Sequence, residues 1–162
     1  MDSVLICGGA GYIGSHTAHY LAAHGRNVVV LDNLSTGHRQ AVRWGELVQA
    51  DLLDQGALDR AFSGRRFSAV MHFCASSLVG ESVLEPYAYY RNNVIGTLNL
   101  LEVMRSHGVN RLVFSSTAAV FGNPMNDLID EDHPKAPINP YGASKLMVER
   151  ILEDAANAYG LR

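Results

Sequence analysis

The stretch Val4–Ser15 reads VLICGGAGYIGS, and it decides the fold of this chain. A short apolar run is followed by four closely spaced glycines and then by apolar residues at helical spacing, which predicts a strand, a tight turn and a helix. Glycine suits such a turn because a phosphate reaches a helix N-terminus only where no side chain stands between it and the backbone amides. The spacing fits G-x-G-x-x-G through Gly9, Gly11 and Gly14, and also G-x-x-G-x-x-G through Gly8, Gly11 and Gly14.

The context of these glycines favours a dinucleotide-binding loop. A second apolar strand is predicted at Asn27–Leu31, and Asp32 follows it directly. The distance from Gly14 to this aspartate is near the spacing of about 20 residues that is typical of dinucleotide-binding folds. The alternative is a glycine-rich turn that only links a strand to a helix.

Composition excludes several classes of protein. The chain has 162 residues, 48% hydrophobic and 18% charged, as expected for one globular domain. The net charge is −3 and the only basic doublet is Arg65-Arg66, so we expect no nucleic-acid partner. Apolar runs are far shorter than the ~18 residues of a membrane span, and the N-terminus shows no leader pattern. These features predict a cytoplasmic protein with no membrane association.

The cysteines and histidines give no sign of a metal site. Two cysteines agree with a reducing compartment. Cys7 and Cys74 each end a predicted strand, and these two strands are neighbours in a doubly wound sheet, so the thiols are expected to lie close together. We interpret them as small buried apolar residues, with a redox pair as the alternative. The seven histidines have no matching carboxylate or thiolate cluster, which predicts no metal.

Strand and helix signals alternate along the whole chain. Strands are predicted at Val4–Cys7, Asn27–Leu31, Glu46–Gln49, Ala69–Phe73 and Arg111–Ser115. The helices between them include one ending at Gly25, one from Tyr89 to His107 ending at Gly108, and one starting near Tyr141 with Asn139 as N-cap and ending close to Gly160. Alternation with right-handed crossovers predicts an α/β, doubly wound parallel sheet of Rossmann type with strand order 3-2-1-4-5.

The end of the sequence carries a further expectation. Leu161 and Arg162 read as the start of a sixth strand beside the fifth, so we expect the sheet to be truncated before that strand. Residues 1–162 would then be the dinucleotide-binding domain of a longer protein whose C-terminal substrate domain is absent. The long loop Gly122–Pro140 contains four prolines, and loops of this length are usually functional.

Ligands of such folds bind at the carboxyl ends of the strands, where the strand order reverses. Asp32 after the second strand can accept hydrogen bonds from a ribose and would repel a 2′-phosphate, which favours NAD over NADP, although Arg39 could accommodate that phosphate. Asp51 after the third strand either faces the adenine or is an exposed loop carboxylate. The fourth strand runs into the stretch 73–77, whose small residues allow a cofactor to lie across the strand end, and the fifth runs into the hydroxyl cluster Ser115–Thr117.

Tyr141 and Lys145 are four positions apart on a predicted helix and therefore share one face. A tyrosine is a poor base at pH 7, and lowering its pKa by about three units takes about 4 kcal/mol. A lysine ammonium ~5 Å away supplies roughly 3 kcal/mol of this at an effective dielectric near 20. The pair therefore predicts a catalytic base with Thr117 beside it, whereas an exposed aromatic-lysine pair is the alternative.

With these residues in view, the chain resembles the N-terminal half of the extended short-chain dehydrogenases, most closely the UDP-glucose 4-epimerase family. The matching segments are GGAGYIGSH at 8–16, LDNL at 31–34, VGES at 79–82, YYRNNV at 89–94 and PYGASK at 140–145. The glycine and Tyr-Lys motifs specify the superfamily, and their combination with the Asn-Asn-Val segment is more specific.

The resemblance implies functions for individual residues. Tyr141 would be the base, Lys145 its cationic neighbour, and Thr117 would bond the sugar 4-hydroxyl. The implied NAD-binding residues are Gly8, Gly11, Tyr12, Ile13, Gly14, Asp32, Asn33, Leu34, Ser35, Thr36, Gly37, Asp51, Leu52, Phe73, Cys74, Ala75, Ser77, Asn93, Tyr141 and Lys145. Related dehydratases place an acidic pair after the threonine, but Ala118 and Ala119 stand here. Epimerases often carry lysine where Ser77 stands.

The implied activity is NAD-dependent 4-epimerisation of a nucleotide sugar, with UDP-glucose and UDP-galactose as the expected pair. Another UDP-sugar, such as UDP-xylose, UDP-glucuronate or an N-acetylated sugar, is an alternative, and a non-catalytic NAD-binding module is another. The resemblance also implies a homodimer that pairs through the helices from Tyr89 and Tyr141, on which Val94, Leu98 and Leu101 have one-face spacing. Residues 1–162 alone are expected to be inactive.

Overall fold

Five parallel strands form a single sheet in the computed structural model, which describes residues 2–162. The strands are β1 Ser3–Cys7, β2 Val28–Asp32, β3 Glu46–Gln49, β4 Phe67–His72 and β5 Leu112–Phe114. Their order, β3-β2-β1-β4-β5, confirms the predicted topology. Predicted strand ends differ from the observed ones by at most two residues, and β3 has the predicted limits.

Helices connect the strands. They are α1 Tyr12–Ala23, α2 Gln55–Phe62, α3 Val79–Leu84, α4 Pro86–Tyr89, α5 Gly96–Ser106 and α6 Pro140–Tyr159. A π-helical segment, Tyr90–Ile95, joins α4 to α5, and short 3₁₀ turns lie at Arg39–Ala41 and Ala118–Phe121. Among residues 2–162 no helix is both long and apolar enough to span a bilayer.

The sheet is covered on both faces, because alternate residues of β1 and β2 enter opposite cores. Leu5 and Leu31 pack with α2 and α5 residues on one face, whereas Ile6 and Val30 pack with Ala18 of α1 on the other. Every residue of β2 is buried. An unbroken apolar strand such as VVVLD is expected where helices cover both faces of a parallel sheet.

The ends of α6 follow the sequence prediction. The side chain of Asn139 accepts a hydrogen bond of 2.8 Å from the backbone amide of Gly142, and Pro140 occupies the first turn. At the other end Gly160 has φ +70°, the left-handed conformation that glycine adopts at low cost. The helix therefore begins and ends where local capping signals place it.

The helix predicted from Tyr89 to His107 differs from the observed one in two ways. It begins at Pro86, and its middle is the π-helical segment rather than regular α-helix. Pro86 is well placed at a first helical position because its missing N–H has no partner there in any case. Helix α3 was not predicted; it has only six residues, which is too short to show a clear apolar period.

The last two residues run along the free edge of β5. The amide of Arg162 donates to the carbonyl of Asn110 at 2.8 Å, and the amide of Leu112 donates to the carbonyl of Arg162 at 2.9 Å. This alternation is the hydrogen-bond pattern of parallel strands. Residues 161–162 thus occupy the position predicted for the start of a sixth strand.

Candidate active site

A cleft of about 540 Å³ opens at the carboxyl ends of the strands, and we call it the strand-end cleft. It lies where the strand order reverses between β1 and β4, which is the usual ligand position in open α/β sheets. Its lining consists of Gly8, Gly11, Asp32, Asn33, Ser35, Thr36, Gly37, Ala50, Asp51, Leu52, Phe73, Cys74, Ala75, Ser76, Ser77, Leu78, Glu81 and Asn92. Most of the predicted NAD-binding residues are therefore brought together.

The glycine loop brings bare backbone to this cleft. Gly8 has φ +80°, and a Cβ there would lie 2.8 Å from the backbone nitrogen of Cys74. A Cβ on Gly14 would overlap the carbonyl of Gly8, so α1 can start this close to β1 only with glycine at that position. Gly14 lies behind the lining, and Tyr12 and Ile13 stand exposed on the first turn of α1.

Asp32 at the end of β2 is buried, with 6% of its surface exposed. One carboxylate oxygen accepts from the amide of Ala10 in the glycine loop at 2.9 Å, and the other accepts from the amide of Leu34 at 2.8 Å. Asp32 therefore ties the glycine loop to the turn after β2. Leu34 has φ +60°, which places it in the left-handed region that non-glycine residues rarely adopt.

The loop after β2 is linked to the end of β3. Asn33 donates to Asp51 at 2.8 Å, and Asp51 also accepts from the amide of Leu53 at 2.8 Å. Asp51 is half-buried in the cleft wall rather than a free loop carboxylate. The guanidinium of Arg39 donates to Gln49 at 2.7 Å, and Arg39 does not line the cleft.

Of the two adjacent asparagines in the π-helical segment, Asn92 lines the cleft and Asn93 does not. Asn93 is only 3% exposed, and its side chain is occupied by other bonds. It accepts from the amide of Ser76 at 2.9 Å and donates to the carbonyl of Ser76 and to the hydroxyl of Ser144, each at 3.0 Å. Asn93 therefore joins the wall after β4 to helix α6, and its contact with the cofactor stays a prediction.

Cys7 and Cys74 are close neighbours, as predicted. Both are free thiols, Cys7 fully buried and Cys74 half-buried in the cleft wall. A hydrogen bond with Cys7, followed by burial, raises the pKa of Cys74. Because a thiol with a raised pKa is a poor nucleophile, this environment agrees with two apolar packing residues.

Lys145 is buried at the end of β5, with 3% of its surface exposed. Its ammonium donates to the carbonyl of Ser115 at 2.8 Å and lies 4.5 Å from the ring centroid of Phe114. Burial lowers the pKa of Lys145 to about 8, which the nearby Cys74 partly opposes. Lys145 is thus a cation at neutral pH, held in place by the Ser115 carbonyl, and no salt bridge to a carboxylate is found for it among residues 2–162.

Tyr141 stands one helical turn before Lys145 on the same face of α6. Its ring meets the edge of the Tyr89 ring at a centroid distance of 6.4 Å. Tyr89 is buried. Its hydroxyl oxygen lies 2.7 Å from a carboxylate oxygen of Glu81 and 2.7 Å from the carbonyl oxygen of Leu78, and the two acceptors share its single proton. Burial, and then the bond to Glu81, raises the pKa of Tyr89 to about 12, so this second tyrosine remains protonated.

Thr117 begins the 3₁₀ turn after β5 and is half-buried. Its hydroxyl oxygen accepts from the amide of Ala119 at 3.2 Å, which caps the turn. A threonine hydroxyl is one donor and two acceptor sites. Its O–H therefore stays available to donate to a bound ligand.

His72 is a buried residue that the sequence reasoning did not single out. Its Nε2 lies 2.8 Å from the hydroxyl of Thr97, and this hydroxyl donates to the carbonyl of Asn93 at 2.6 Å. Nε2 must therefore carry the proton, which leaves Nδ1 as an acceptor without a partner among the described residues. Burial, and then the charge of Lys145, lowers the pKa of His72 to about 3.

The lining also contains residues that were not predicted. These are Ala50, Leu78, Glu81 and Asn92, whereas Ser76 belongs to the stretch predicted to let a cofactor lie across the end of the fourth strand. Glu81 and Asn92 belong to the segments that carry the family resemblance, so their presence there was the available signal. The predicted residues outside the lining are Tyr12, Ile13, Gly14, Leu34, Asn93, Tyr141 and Lys145. Residues 2–162 contain no cluster of three or more His, Cys, Asp or Glu placed to hold a metal.

A glycine loop at the β1 end, a buried aspartate at the β2 end and a tyrosine-lysine helix beside β5 define a dinucleotide-binding domain of the short-chain dehydrogenase type. A family model for the NAD-dependent epimerase/dehydratase family matches residues 4–162. The chain belongs to this family.

Curated relatives and solved structures agree with this assignment. The chain is 52% identical over 159 residues to the UDP-glucose 4-epimerase of Streptomyces lividans and 51% identical over 160 residues to that of Azospirillum brasilense, covering 97% and 98% of this chain. Those alignments cover 48% and 46% of the relatives. The chain thus spans about half the length of the curated relatives it matches.

Two solved structures show the same fold. The UDP-glucose 4-epimerase from Brucella ovis in complex with NAD matches with a TM-score of 0.97 and 51% identity, over 100% of this chain and 50% of that one. The enzyme from Thermotoga maritima with UDP-glucose matches with a TM-score of 0.93 and 37% identity, over 98% of this chain and 52% of that one.

Proposed function

We propose that the full-length protein is an NAD-dependent 4-epimerase of a nucleotide sugar, with UDP-glucose and UDP-galactose as its substrates. The observation that carries this proposal is the placement of Tyr141 and Lys145. Both lie on one face of α6, and the Lys145 ammonium is buried against the exit of β5. A surface aromatic-lysine pair would leave the ammonium in water, so burial favours the catalytic interpretation.

The strand-end cleft fits NAD. Its floor is the bare backbone of the glycine loop, which lies so close to the end of β4 that a Cβ on Gly8 would come within 2.8 Å of the backbone of Phe73 and Cys74. Bare backbone amides at the start of a helix are what a pyrophosphate needs. The described lining carries the carboxylates of Asp32, Asp51 and Glu81 and neither lysine nor arginine. This charge pattern disfavours the extra phosphate of NADP, and it supports NAD.

The chain's own residues support the chemistry as follows. When bound, NAD would accept a hydride from C4 of the sugar and return it to the opposite face. Tyr141 would take the proton of the 4-hydroxyl and later give it back, and Lys145 would stabilise the tyrosinate by its charge. Thr117 would donate its free O–H to the same sugar oxygen.

The UDP-sugar assignment rests on the relatives, which are named UDP-glucose 4-epimerases, and on the complex with UDP-glucose in the Thermotoga maritima enzyme. The alternatives are an epimerase for UDP-xylose, UDP-glucuronate or an N-acetylated sugar, and a non-catalytic NAD-binding module. A non-catalytic NAD-binding module would not require Tyr141, Thr117 and a buried lysine together.

The proposal is tested by incubating the full-length protein with NAD and each of these nucleotide sugars and separating the products. We expect UDP-galactose to be converted to UDP-glucose. Conversion of another sugar alone would redirect the substrate assignment. Tight NAD binding with no conversion of any sugar would favour the non-catalytic module.

Two further proposals come from the sequence. We propose a homodimer that pairs through the π-helical segment, α5 and α6, where Ile95, Leu98 and Met147 leave apolar surface exposed. We also propose a cytoplasmic location, for which the low cysteine content is the supporting observation.

A further inference from the structure

Side chains of helix α6 form hydrogen bonds with two successive residues after β5, Ser115 and Ser116. Tyr141, Lys145 and Glu149 are spaced four apart, so they form one stripe along the helix. Lys145 holds the carbonyl of Ser115, and the carboxylate of Glu149 accepts from the hydroxyl of Ser116. Consecutive members of the stripe therefore hold consecutive residues of the strand exit.

Thr117 directly follows these two hydrogen-bonded residues. Its backbone is extended, with φ −156° and ψ 150°, and its hydroxyl caps the following turn at Ala119. Within residues 115–117, Ser115 and Ser116 are fixed from the α6 side, and Thr117 follows from them through one peptide unit. The position of the Thr117 hydroxyl relative to Tyr141 is therefore set by the two contacts that precede it.

The second oxygen of Glu149 is held from the long loop. Lys135 donates to it at 2.6 Å, and the side chain of Glu149 is only 21% exposed. Burial raises the pKa of Glu149, but the bonds from Lys135 and Ser116 outweigh it and leave the pKa below its usual value. A partly buried carboxylate with two charge-assisted bonds is a stiff connection.

We infer that Glu149 is a positioning residue, which holds Ser116 so that the Thr117 hydroxyl meets the same substrate oxygen as Tyr141. It lies outside the lining of the strand-end cleft and acts through Ser116 rather than on the ligand. This inference rests on the proposed function, because it assigns Thr117 to the sugar. It adds a residue that neither the motif nor the cleft lining contains.

Three single variants of the full-length protein separate the contacts. Ser116→Ala removes the hydroxyl and keeps Glu149 paired with Lys135. Glu149→Gln keeps an oxygen that can accept from Ser116, whereas Glu149→Leu removes both bonds. Lys135→Met is the matched control, because it removes the loop contact and leaves the bond from Ser116 in place.

The first readout is hydrogen exchange, which does not depend on turnover. The amides of Ala119 and Val120 bond to Thr117 and report how firmly that residue is held. Loss of one bond to a charged group should speed their exchange by roughly tenfold in Ser116→Ala and Glu149→Leu. Lys135→Met should speed exchange only in the loop around residue 135. Unchanged exchange at 119 and 120 in Ser116→Ala would overturn the inference, even if Glu149→Leu failed to fold.

The second readout is kinetic. Ser116→Ala and Glu149→Leu should each lower kcat by roughly tenfold with little change in KM, since the loss falls on the reacting geometry. Glu149→Gln should recover most of this rate, and the double variant Ser116→Ala/Glu149→Leu should be no slower than the worse single one, because both remove the same contact. Independent, multiplying losses, or a normal kcat in Ser116→Ala, would contradict the inference. An inactive wild-type protein would instead defeat the proposed function and leave the exchange test standing.

Discussion

The ammonium of Lys145 donates a 2.8 Å hydrogen bond to the backbone carbonyl of Ser115, so a helix residue is anchored directly to the end of the fifth strand. This bond fixes the distance between α6 and β5. It also places a positive charge below Tyr141 without a carboxylate partner among the residues described here. A cation paired with a carboxylate would stabilise a neighbouring tyrosinate much less.

Lys145 should make the stability of the protein depend on pH above neutrality. Its pKa falls from 10.5 to about 8 on folding, so between these values the unfolded chain binds more protons than the folded one. Stability contributed by this group should therefore rise with pH across that window. Urea unfolding of wild type and Lys145→Met at pH 7.5 to 9.5, steps of about half a unit within the shifted range, measures the difference. Parallel curves for the two proteins would show that the lysine is not buried in solution.

His72 should weaken the fold in acid. Its pKa drops from 6.5 to about 3 because the ring is buried. The unfolded chain takes up a proton first as the pH falls, so the contribution of His72 to stability is lost progressively from about pH 6.5 toward pH 3. His72→Leu removes the titrating ring, and its unfolding free energy should depend less steeply on pH in that range. An unchanged slope would mean that other groups dominate acid unfolding.

The two adjacent asparagines should behave differently when each is changed to alanine. Asn93→Ala leaves the backbone groups of Ser76 and the hydroxyl of Ser144 without their partner, at a cost of about 2–4 kcal/mol of unfolding free energy. Asn92→Ala removes a side chain from the cleft lining, so it should weaken NAD binding and change stability by less than about 1 kcal/mol. Thermal unfolding and NAD titration of both variants check this. Equal effects on stability would show that the bonds of Asn93 to Ser76 and Ser144 do not stabilise the fold.

The proposed dimer predicts a specific effect of charge on α5. Leu98 of α5 is 39% exposed and Met147 of α6 is 47% exposed. Leu98→Glu should place a charge in the apolar contact and convert a full-length dimer to monomer, whereas Glu102→Gln on the same helix should leave the dimer intact. Light scattering distinguishes the two states. Monomer for the wild-type protein at micromolar concentration would rule the dimer out.

Much of the fold could be predicted because local signals agreed with the global pattern. Glycines and caps mark the helix ends, and uninterrupted apolar runs such as VVVLD mark strands covered on both sides. The strand order then followed from the handedness of the crossovers. The π-helical segment was not predicted, and within it Asn93 bonds to Ser76 and Ser144, which are distant in the sequence and therefore leave no local pattern.

In the candidate site, too, local features could be predicted and tertiary contacts could not. The glycine loop and Asp32 are local features, and the structure brings them together as the spacing predicts. Which of Asn92 and Asn93 faces the cleft depends on the rotation of the helix around the π-helical segment, so the motif alone did not decide it. His72 and Glu149 contact residues that are distant in the sequence, and the residues next to them in the sequence form no pattern that predicts these contacts.

The catalytic assignment of Tyr141 is tested most directly by Tyr141→Phe in the full-length protein. Phenylalanine keeps the ring contact with Tyr89 and removes only the ionisable oxygen, so the melting temperature and NAD binding should be close to wild type. As a control, Lys145→Ala should raise the pH at which activity appears, because the tyrosinate loses its positive neighbour.

The decisive measurement is kcat for interconversion of UDP-galactose and UDP-glucose by Tyr141→Phe. General base catalysis contributes about 10²- to 10⁴-fold, so we expect kcat to fall by at least about a hundredfold. A variant that keeps more than about a tenth of the wild-type kcat, well short of that loss, would contradict the assignment and make Tyr141 a structural residue.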